Sequence, residues 1–338
     1  MLVVMESVET QDQIDQVVKR IQELGLTAHE MPGATRTAVG MTGNIDAIDP
    51  RSFEALGGVR ELVRVTKPFK LASREMHADD TVVETDTTSL GPSTFTIVAG
   101  PCSVESESMA FEVAEHLLAK GVKMFRGGVF KPRTSPYSFQ GMEDDGLKIL
   151  GKLRETLGIG VVTEVMEKEQ VSRVEPVADV LQVGTRNMQN FPLLKQMGKA
   201  QRPVLLKRGM SATLEEWLMA AEYVLAGGNG NVVLCERGIR TFADHTRNTL
   251  DLSVIPPAKQ LSHLPVIVDP SHGTGKRAYV KAMALAGLAA GADGMIVEIH
   301  PNPDRAVSDG AQSLNFAQFD DLLESVHALA GVLNRKVN

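Results

Sequence analysis

The sequence predicts an α/β protein in which a small ferredoxin-like α+β domain precedes a (β/α)8 TIM barrel. Eight short apolar runs alternate with helical patterns in residues 93–338. Residues 1–67 instead follow the order strand, helix, strand, strand, helix, strand. The composition is 43% hydrophobic but only 4% aromatic, which favours parallel strands of aliphatic residues that are buried on both faces.

Residues 1–67 are predicted to form the separate small domain. Its strand-like runs are residues 2–5, 28–31, 37–41 and 61–65. A first helix is expected over residues 11–24, because Thr10 suits an N-cap, apolar residues recur at helical spacing and Gly25 suits the end. A second helix is expected to begin near Pro50.

Residues 68–92 are predicted to be a linker between the two domains. The stretch is polar and rich in Thr, Ser and Asp, and only residues 81–84 resemble a strand. The barrel is therefore expected over residues 93–338.

The barrel prediction depends on apolar runs that are short enough to be strands. They are residues 95–99, 122–125, 161–165, 180–183, 204–206, 232–234, 266–268 and 295–297. Helical patterns lie between them, including residues 107–120, 147–157, 213–226 and 280–290. In this fold the active site lies at the carboxyl ends of the strands, so polar residues after each run are candidates for function.

Charge and hydropathy exclude several classes of partner. A net charge of −7 argues against a nucleic-acid surface, because binding to a phosphate backbone needs an extended basic face. No leader pattern and no run of about eighteen apolar residues occurs, so we expect neither secretion nor a membrane span but a cytoplasmic protein. The two cysteines, Cys102 and Cys235, are expected to stay reduced for ligation or packing.

The loop after the second barrel strand carries unusual positive charge. Arg126, Lys131 and Arg133 lie within it, and two prolines keep it extended. Thr134 and Ser135 add hydroxyl groups. Arginine binds oxyanions through two parallel hydrogen bonds, so the loop suits phosphate or carboxylate groups, although a solvated basic loop is the alternative.

Polar residues follow nearly every predicted strand, and they suggest two sites. Thiolate, imidazole and carboxylate ligands suit one divalent ion of Mn, Fe, Co, Zn or Cu rather than Mg or Ca. The candidate ligands are Cys102, His272, Glu298 and Asp309. The alternative is structural: Cys102 packs under Pro101, and His272 caps a turn.

The second site is cationic. Its candidates are Arg126, Lys131, Arg186, Lys207 and Arg237. Such a cluster needs a dense anion to offset its repulsion, such as a phosphorylated carboxylic acid. The segments 227–231 (GGNGN) and 272–275 (HGTG) lack nucleotide-binding patterns, and no GxSxG motif occurs.

Several runs in this sequence resemble one family of enzymes. They are AGPCSVES, RGGVFKPRTSPYSFQG, QVGTRNMQN, LLKRG, LCERGIRTF, VDPSHGTG, EIHPNP and SDGAQS. Together they resemble the 3-deoxy-D-arabino-heptulosonate 7-phosphate (DAHP) synthases, specifically the type I subgroup with an N-terminal ferredoxin-like domain. The resemblance implies a transferase that condenses phosphoenolpyruvate with erythrose 4-phosphate and water. This is the first step of the shikimate pathway to chorismate and the aromatic amino acids.

The resemblance also implies roles for individual residues. Cys102, His272, Glu298 and Asp309 would hold the metal, and no organic cofactor is expected. Arg126, Lys131, Arg186, Lys207 and Arg237 would bind phosphoenolpyruvate, and Arg133, Thr134 and Ser135 the aldose phosphate. Glu164, Gln189 and Asp269 would orient water or protons. Direct catalytic roles are expected for Lys131, Arg126, Glu164 and Asp269.

The resemblance further implies a homotetramer, with feedback inhibition by tyrosine or phenylalanine through the N-terminal domain. The main alternative is the related synthase of 3-deoxy-D-manno-octulosonate 8-phosphate, which uses arabinose 5-phosphate. That enzyme carries Ala-Asn where this chain has Pro132-Arg133. A catalytically silent, amino-acid-sensing barrel is the remaining alternative.

Overall fold

The computed structural model describes residues 1–32, 36–43, 49, 51–63, 67–131, 135 and 137–338. The chain divides into two compact units, Met1–Asp79 and Asp80–Asn338. Residues 68–79 thus belong to the first unit and residues 80–92 to the second. The domain boundaries inferred from the sequence stay a prediction.

The first unit has the ferredoxin-like order that the sequence predicts. Its elements are β1 (Leu2–Met5), α1 (Gln11–Glu23), β2 (Thr27–Pro32), β3 (Thr37–Thr42), α2 (Arg51–Glu54) and β4 (Val59–Val63). The strands form an antiparallel sheet in the order β2-β3-β1-β4. Ile14, Val17 and Ile21 lie on the buried face of α1 and pack in one apolar core with residues of the sheet.

The second unit contains the predicted barrel. Its eight parallel strands are β7 (Thr94–Gly100), β8 (Met124–Arg126), β9 (Gly160–Val165), β10 (Val180–Val183), β11 (Val204–Lys207), β12 (Val232–Glu236), β13 (Val266–Val268) and β14 (Gly294–Glu298). Each pairs with the next, and β14 pairs with β7 to close the barrel. All eight predicted apolar runs are confirmed as strands.

Helices follow the strands along the chain. They are α3 (Glu107–Ala119), α4 (Glu143–Leu157), α5 (Val171–Val174), α6 (Phe191–Met197), α7 (Leu214–Ala226), α8 (Ile255–Leu261), α9 (Pro270–Thr274), α10 (Arg277–Ala289) and α11 (Phe316–Val332). Among the described helices, none combines the length and apolar character that a membrane span needs. On α7, Trp217 is fully buried, and its indole N–H donates to the carbonyl oxygen of Leu206 at 3.2 Å.

A short hairpin closes the amino-terminal end of the barrel. It consists of β5 (Val83–Glu84) and β6 (Ser89–Leu90), and the sequence had indicated only its first strand. Val83 and Leu90 join the barrel's interior core. A last strand, β15 (Lys336–Val337), pairs with the start of β7. This end of the barrel is therefore filled by apolar packing.

Cys235 belongs to the same interior core and is completely buried. Burial raises the pKa of its thiol far above the usual range. Its surroundings therefore favour packing, in agreement with one of the two roles expected for it.

Candidate active site

A cavity of about 420 Å³ opens at the carboxyl ends of the barrel strands, and cationic side chains dominate its wall. Those side chains are Arg126, Lys131, Arg186, Lys207, Arg237, Arg240 and Arg247. The first five are the cations predicted from the sequence to form one anion site. Ser135, Glu164, His272 and Asp309 line the same cavity.

Arg126 is the last residue of β8, and it is 4% exposed. Its NH1 donates to Glu298 Oε1 at 2.9 Å and to the carbonyl oxygen of Pro101 at 2.8 Å. Its Nε has no hydrogen-bond partner in the described part of the chain. A buried donor without a partner costs free energy unless a ligand or water supplies an acceptor, so this atom is suited to an anion in the cavity.

Lys131 reaches the cavity beside Cys102. Its Nζ donates to the carbonyl oxygen of Cys102 at 2.7 Å and lies 3.1 Å from the sulfur. Gly128 makes this approach possible, because a Cβ atom there would lie 2.9 Å from Nζ and 2.8 Å from the same carbonyl oxygen. The lysine is thereby fixed between the thiol and the cationic wall.

Lys207, at the end of β11, forms a buried ion pair with Asp269. Its Nζ lies 2.6 Å from Asp269 Oδ2. Asp269 also accepts hydrogen bonds from the backbone N–H of His272 at 3.0 Å and from its Nδ1 at 2.8 Å. Burial opposes ionisation, but the contacts with His272 and Lys207 outweigh it and hold the pKa of Asp269 well below its usual range. Asp269 is therefore ionised, and its carboxylate orients both Lys207 and His272.

Arg237 is a buried cation of the cavity wall. Burial lowers the pKa of its guanidinium. Among the described residues, its NH1 makes only one hydrogen bond, a long one of 3.4 Å to the carbonyl oxygen of Gly238. Within the described ranges, no carboxylate lies within 4 Å of it. A desolvated cation without a counterion favours a bound anion.

Three potential metal ligands converge next to this wall. Single ligand atoms of Cys102, Glu298 and Asp309 all lie within 4.8 Å of one another. The Cys102 thiol donates to Asp309 Oδ2 at 3.2 Å. Burial raises the pKa of this thiol, and the charges of Glu298 and Asp309 raise it further.

His272 adjoins this group but is not one of its three members. Its Nδ1 contacts the ionised Asp269, which can only accept, so Nδ1 carries a proton. Its Nε2 faces Glu298 Oε1 at 3.4 Å, longer than an ordinary N–H···O hydrogen bond. A histidine held by a carboxylate on one nitrogen and facing further ligands with the other is a common arrangement at metal sites. Thiol, imidazole and carboxylates thus fit a divalent transition metal.

Glu164 lies near the end of β9, where it lines the cavity. Its Oε2 accepts a hydrogen bond from the Gln182 side chain at 3.1 Å. Gly184 leaves room for the carboxylate, since a Cβ atom there would lie 2.0 Å from Oε1. Gly184 and the side-chain amide of Gln182 together determine the position of the Glu164 carboxylate.

Some sequence candidates lie outside the cavity or outside the described residues. Gln189 lines a neighbouring cavity of about 380 Å³, which shares Arg186 with the first. Ser135 lines the main cavity, whereas Arg133 and Thr134 fall outside the described residues. Their roles stay predictions.

Several polar residues of the site were not predicted from the sequence, among them Arg240, Arg247 and Gln312. Arg240 and Arg247 line the cavity, and Gln312 donates to Glu298 Oε2 at 2.7 Å. The signal was available in part, because Arg240 lies in the run LCERGIRTF and Gln312 in SDGAQS. Arg247 belongs to the loop after β12. The sequence indicated a functional candidate only at the beginning of that loop, Arg237.

These features define a class: a barrel enzyme that acts on anionic substrates at the carboxyl ends of its strands, beside a potential metal site. The DAHP synthetase I family model matches residues 80–334, and the DAHP synthase ferredoxin-like domain matches residues 1–67. The chain belongs to the DAHP synthetase I family.

Relatives extend this comparison. A phospho-2-dehydro-3-deoxyheptonate aldolase of Thermotoga maritima is 47% identical over 338 residues, which is the whole of both chains. A 2-dehydro-3-deoxyphosphooctonate aldolase of Acidithiobacillus ferrooxidans is 33% identical over 262 residues, covering 72% of this chain and 92% of the relative.

Solved structures agree with these relatives. A crystal structure of the Thermotoga maritima DAHP synthase matches with a TM-score of 0.80 and 46% identity, covering 100% of this chain and 99% of that one. A truncated form of the enzyme from the same organism matches with a TM-score of 0.75 and 46% identity, covering 80% of this chain and 99% of that one.

Proposed function

We propose that this chain condenses phosphoenolpyruvate with erythrose 4-phosphate and water, giving DAHP and phosphate in the shikimate pathway. One observation carries the proposal: the cationic cavity adjoins the group formed by Cys102, Glu298 and Asp309. A phosphorylated acid and an aldehyde can therefore meet at one barrel opening. The match of both parts of the chain to DAHP synthase models supports the same reaction.

Phosphoenolpyruvate is proposed to bind to Arg126, Lys131, Arg186, Lys207 and Arg237. Arg126 and Lys207 are held by buried carboxylates, so their positions are fixed before a ligand arrives. Arg237 lacks such a partner and is suited to a phosphate or carboxylate of the ligand. Fixed cations of this kind stabilise developing negative charge without reorganising during the reaction.

Cys102, His272, Glu298 and Asp309 are proposed to hold one divalent ion, either Mn, Fe, Co, Zn or Cu. When bound, such an ion supplies Lewis-acid polarisation of the aldehyde oxygen. No organic cofactor is proposed. Lys131 contacts Cys102 and lines the cavity, so it is proposed to bind phosphoenolpyruvate next to these ligands and to act directly in catalysis.

The remaining residues are proposed to position substrates and protons. The alkene carbon of phosphoenolpyruvate bonds to the aldehyde carbon, and the oxygen of water adds to the phosphoenolpyruvate carbon that bears the phosphate. The bond between that carbon and the phosphate oxygen then breaks, which leaves a ketone. One proton of the water ends on the former aldehyde oxygen and the other on the released phosphate. Glu164, Gln189 and Asp269 are proposed to orient the water and its protons. Alignment of two bound reactants can lower the activation barrier by about 7–11 kcal/mol.

The aldose phosphate is proposed to bind to the loop that carries Arg133, Thr134 and Ser135. The octulosonate 8-phosphate reaction is the second candidate, because two 2-dehydro-3-deoxyphosphooctonate aldolases are 33% identical over 72% and 70% of this chain. The full-length match to a heptonate aldolase favours erythrose 4-phosphate.

The N-terminal domain is proposed to be regulatory and to bind tyrosine or phenylalanine. Deleting residues 1–67 should abolish inhibition by the effector, and unchanged inhibition by both amino acids would contradict this role. The homotetramer and the cytoplasmic location also stay proposals. Light scattering of the purified protein tests the first.

The decisive experiment measures phosphate release from phosphoenolpyruvate with each aldose phosphate, before and after chelation. We expect turnover with erythrose 4-phosphate, its loss with a chelator, and recovery with an added divalent metal identified by elemental analysis. A preference for arabinose 5-phosphate would support the octulosonate reaction. No turnover with either aldose, in metal-loaded protein, would support the silent sensor.

A further inference from the structure

Gln312 lies directly behind the proposed metal ligands. It is 2% exposed and belongs to a short 3-10 turn, Gly310–Gln312, after β14. Its Nε2 donates to Glu298 Oε2 at 2.7 Å, and its Oε1 accepts from Arg247 NH1 at 2.9 Å. The amide therefore links a carboxylate on one side to a guanidinium on the other.

These two partners determine which way the amide points. The two ends of a glutamine amide have nearly the same shape, so packing alone does not distinguish them. A carboxylate such as Glu298 only accepts, and a guanidinium such as Arg247 only donates. Hence Arg247 fixes the orientation in which Gln312 can hold Glu298.

Arg247 makes a second contact within the same group. Its NH1 lies 3.2 Å from Asp309 Oδ1, while Asp309 Oδ2 accepts from the Cys102 thiol. In Glu298, likewise, Oε2 accepts a hydrogen bond from Gln312, and Oε1 faces Arg126 and His272. Arg247 and Gln312 thus occupy one oxygen of each carboxylate and leave the other oxygen directed at the remaining ligands.

Arg247 is itself anchored to the segment that carries His272. Its backbone N–H donates to the carbonyl oxygen of Thr274 at 2.9 Å. Gly275 has a φ of +69° and packs so closely that a Cβ atom there would lie 2.4 Å from Arg247 Cβ. The next residue, Asn248, donates from its side chain to the carbonyl oxygen of His272 at 3.0 Å. One loop therefore contacts the surroundings of three of the four proposed ligands.

From these contacts we propose that Arg247 and Gln312 act as one positioning unit, which holds Glu298 and Asp309 in the arrangement that binds a divalent ion. The inference rests on the proposed function, because it assumes that these carboxylates bind a metal. Residues in the second layer of a metal site orient the ligands, and their loss commonly weakens binding about 10- to 100-fold.

The test measures Co²⁺ affinity of the full-length, metal-free protein by competition with a chelator of known affinity. Q312M removes both hydrogen bonds at nearly constant length, and R247M removes the guanidinium. We expect each variant to bind Co²⁺ about 10- to 100-fold more weakly and to shift the cobalt–thiolate absorption band. R247K should retain more affinity than R247M, since its ammonium can still reach a carboxylate.

A double variant distinguishes one unit from two separate contacts. If Arg247 acts with Gln312, Q312M/R247M should lose little more affinity than the worse single variant. Q22L and R173M are matched controls on exposed side chains, and they should bind Co²⁺ as the unchanged protein does.

Three outcomes would count against this reading. Fully additive losses would overturn the single unit. Unchanged affinity and spectrum in Q312M, with only a lower melting temperature, would show that Gln312 serves packing alone. If the unchanged protein binds no Co²⁺, Mn²⁺ or Zn²⁺, the proposed metal site itself is wrong. The unchanged protein alone is enough to show this.

Discussion

Arg126 NH1 lies 2.9 Å from Glu298 Oε1, and both side chains are almost completely buried. Arg126 belongs to the wall of the cationic cavity, and Glu298 to the group that could hold a metal. Burial acts to raise the pKa of Glu298, but the charges of His272 and Arg126 outweigh it, so its pKa is lowered. The two sites inferred separately from the sequence therefore share one ion pair.

Replacement of Arg237 should weaken the binding of phosphoenolpyruvate more than it weakens the fold. R237A removes a buried cation that has no carboxylate partner among the described residues. We expect kcat/KM for phosphoenolpyruvate to fall about 10- to 150-fold, the equivalent of about 1.5–3 kcal/mol for hydrogen bonds to a charged group. R237K should recover only part of the lost kcat/KM, because lysine lacks the planar guanidinium that forms two parallel hydrogen bonds.

The control for this prediction is R173A. Arg173 is half-exposed and pairs with Asp144 outside the cavity. Its kinetics should be unchanged. Equal effects of R237A and R173A would mean that Arg237 does not contact the substrate.

An added methyl group at residue 184 should displace Glu164. The Cβ of G184A would lie 2.0 Å from Glu164 Oε1, and the φ of −69° at this position is allowed for alanine. The carboxylate must move, so we expect kcat to fall about 10- to 100-fold, as misplacement by an ångström can do. Steady-state kinetics and the melting temperature measure the effect.

G230A provides the matched control for this glycine. No atom lies within 4 Å of a Cβ at Gly230, so the change should be silent. A fully active G184A would show that the position of Glu164 is unimportant for turnover.

Truncation of Leu90 should destabilise the barrel without affecting its chemistry. Leu90 is 3% exposed and packs at the end of the barrel that is opposite the cavity. We expect L90A to lower the free energy of unfolding by about 2–5 kcal/mol in a urea titration, with kcat unchanged below the transition. V82A, on a side chain that is 44% exposed, should change stability far less. A neutral L90A would mean that the hairpin does not contribute to the barrel core.

Asp320 should give the barrel a stability contribution that disappears in acid. Burial acts to raise its pKa, but hydrogen bonds from Lys120 and His116 outweigh it and hold the pKa below the usual value for an aspartate. Its ionised form therefore stabilises the folded state above about pH 4, and this contribution is lost as the pH falls through the folded pKa.

D320N is therefore expected to cost about 0.5–1 kcal/mol of unfolding free energy between pH 5 and pH 8, the upper range for a partly exposed pair. The difference from the unchanged protein should shrink below pH 4. D321N, at a neighbour whose side chain is 63% exposed, should cost less. A difference that is constant down to pH 3 would contradict the assignment to ionised Asp320.

The barrel was predictable from the sequence because its strands are buried on both faces. Such strands appear as continuous apolar runs, so β9 and β13 are recognisable without any partner information. The carboxyl ends of the predicted strands β8 and β11 also indicated where Arg126 and Lys207 would lie. The candidate site was thus largely accessible from strand order.

The features that were missed depend on contacts distant in the chain. β6 has two residues, too few for any periodicity to be detected. Gln312 and Arg247 are separated by 65 positions, and no local pattern records that their side chains meet. Helix α2 extends only from Arg51 to Glu54, about one turn, and so short an element gives no helical periodicity in the sequence.

The placement of Trp217, the single tryptophan of the chain, gives the barrel a natural optical probe. Its indole is bonded to the strand that ends in Lys207, so fluorescence emission should respond when a ligand enters the neighbouring cavity, without any dye. Because the N-terminal unit contains no tryptophan, its own unfolding contributes nothing to that emission. A comparison of emission with far-ultraviolet dichroism can therefore distinguish the melting of the two units in one sample.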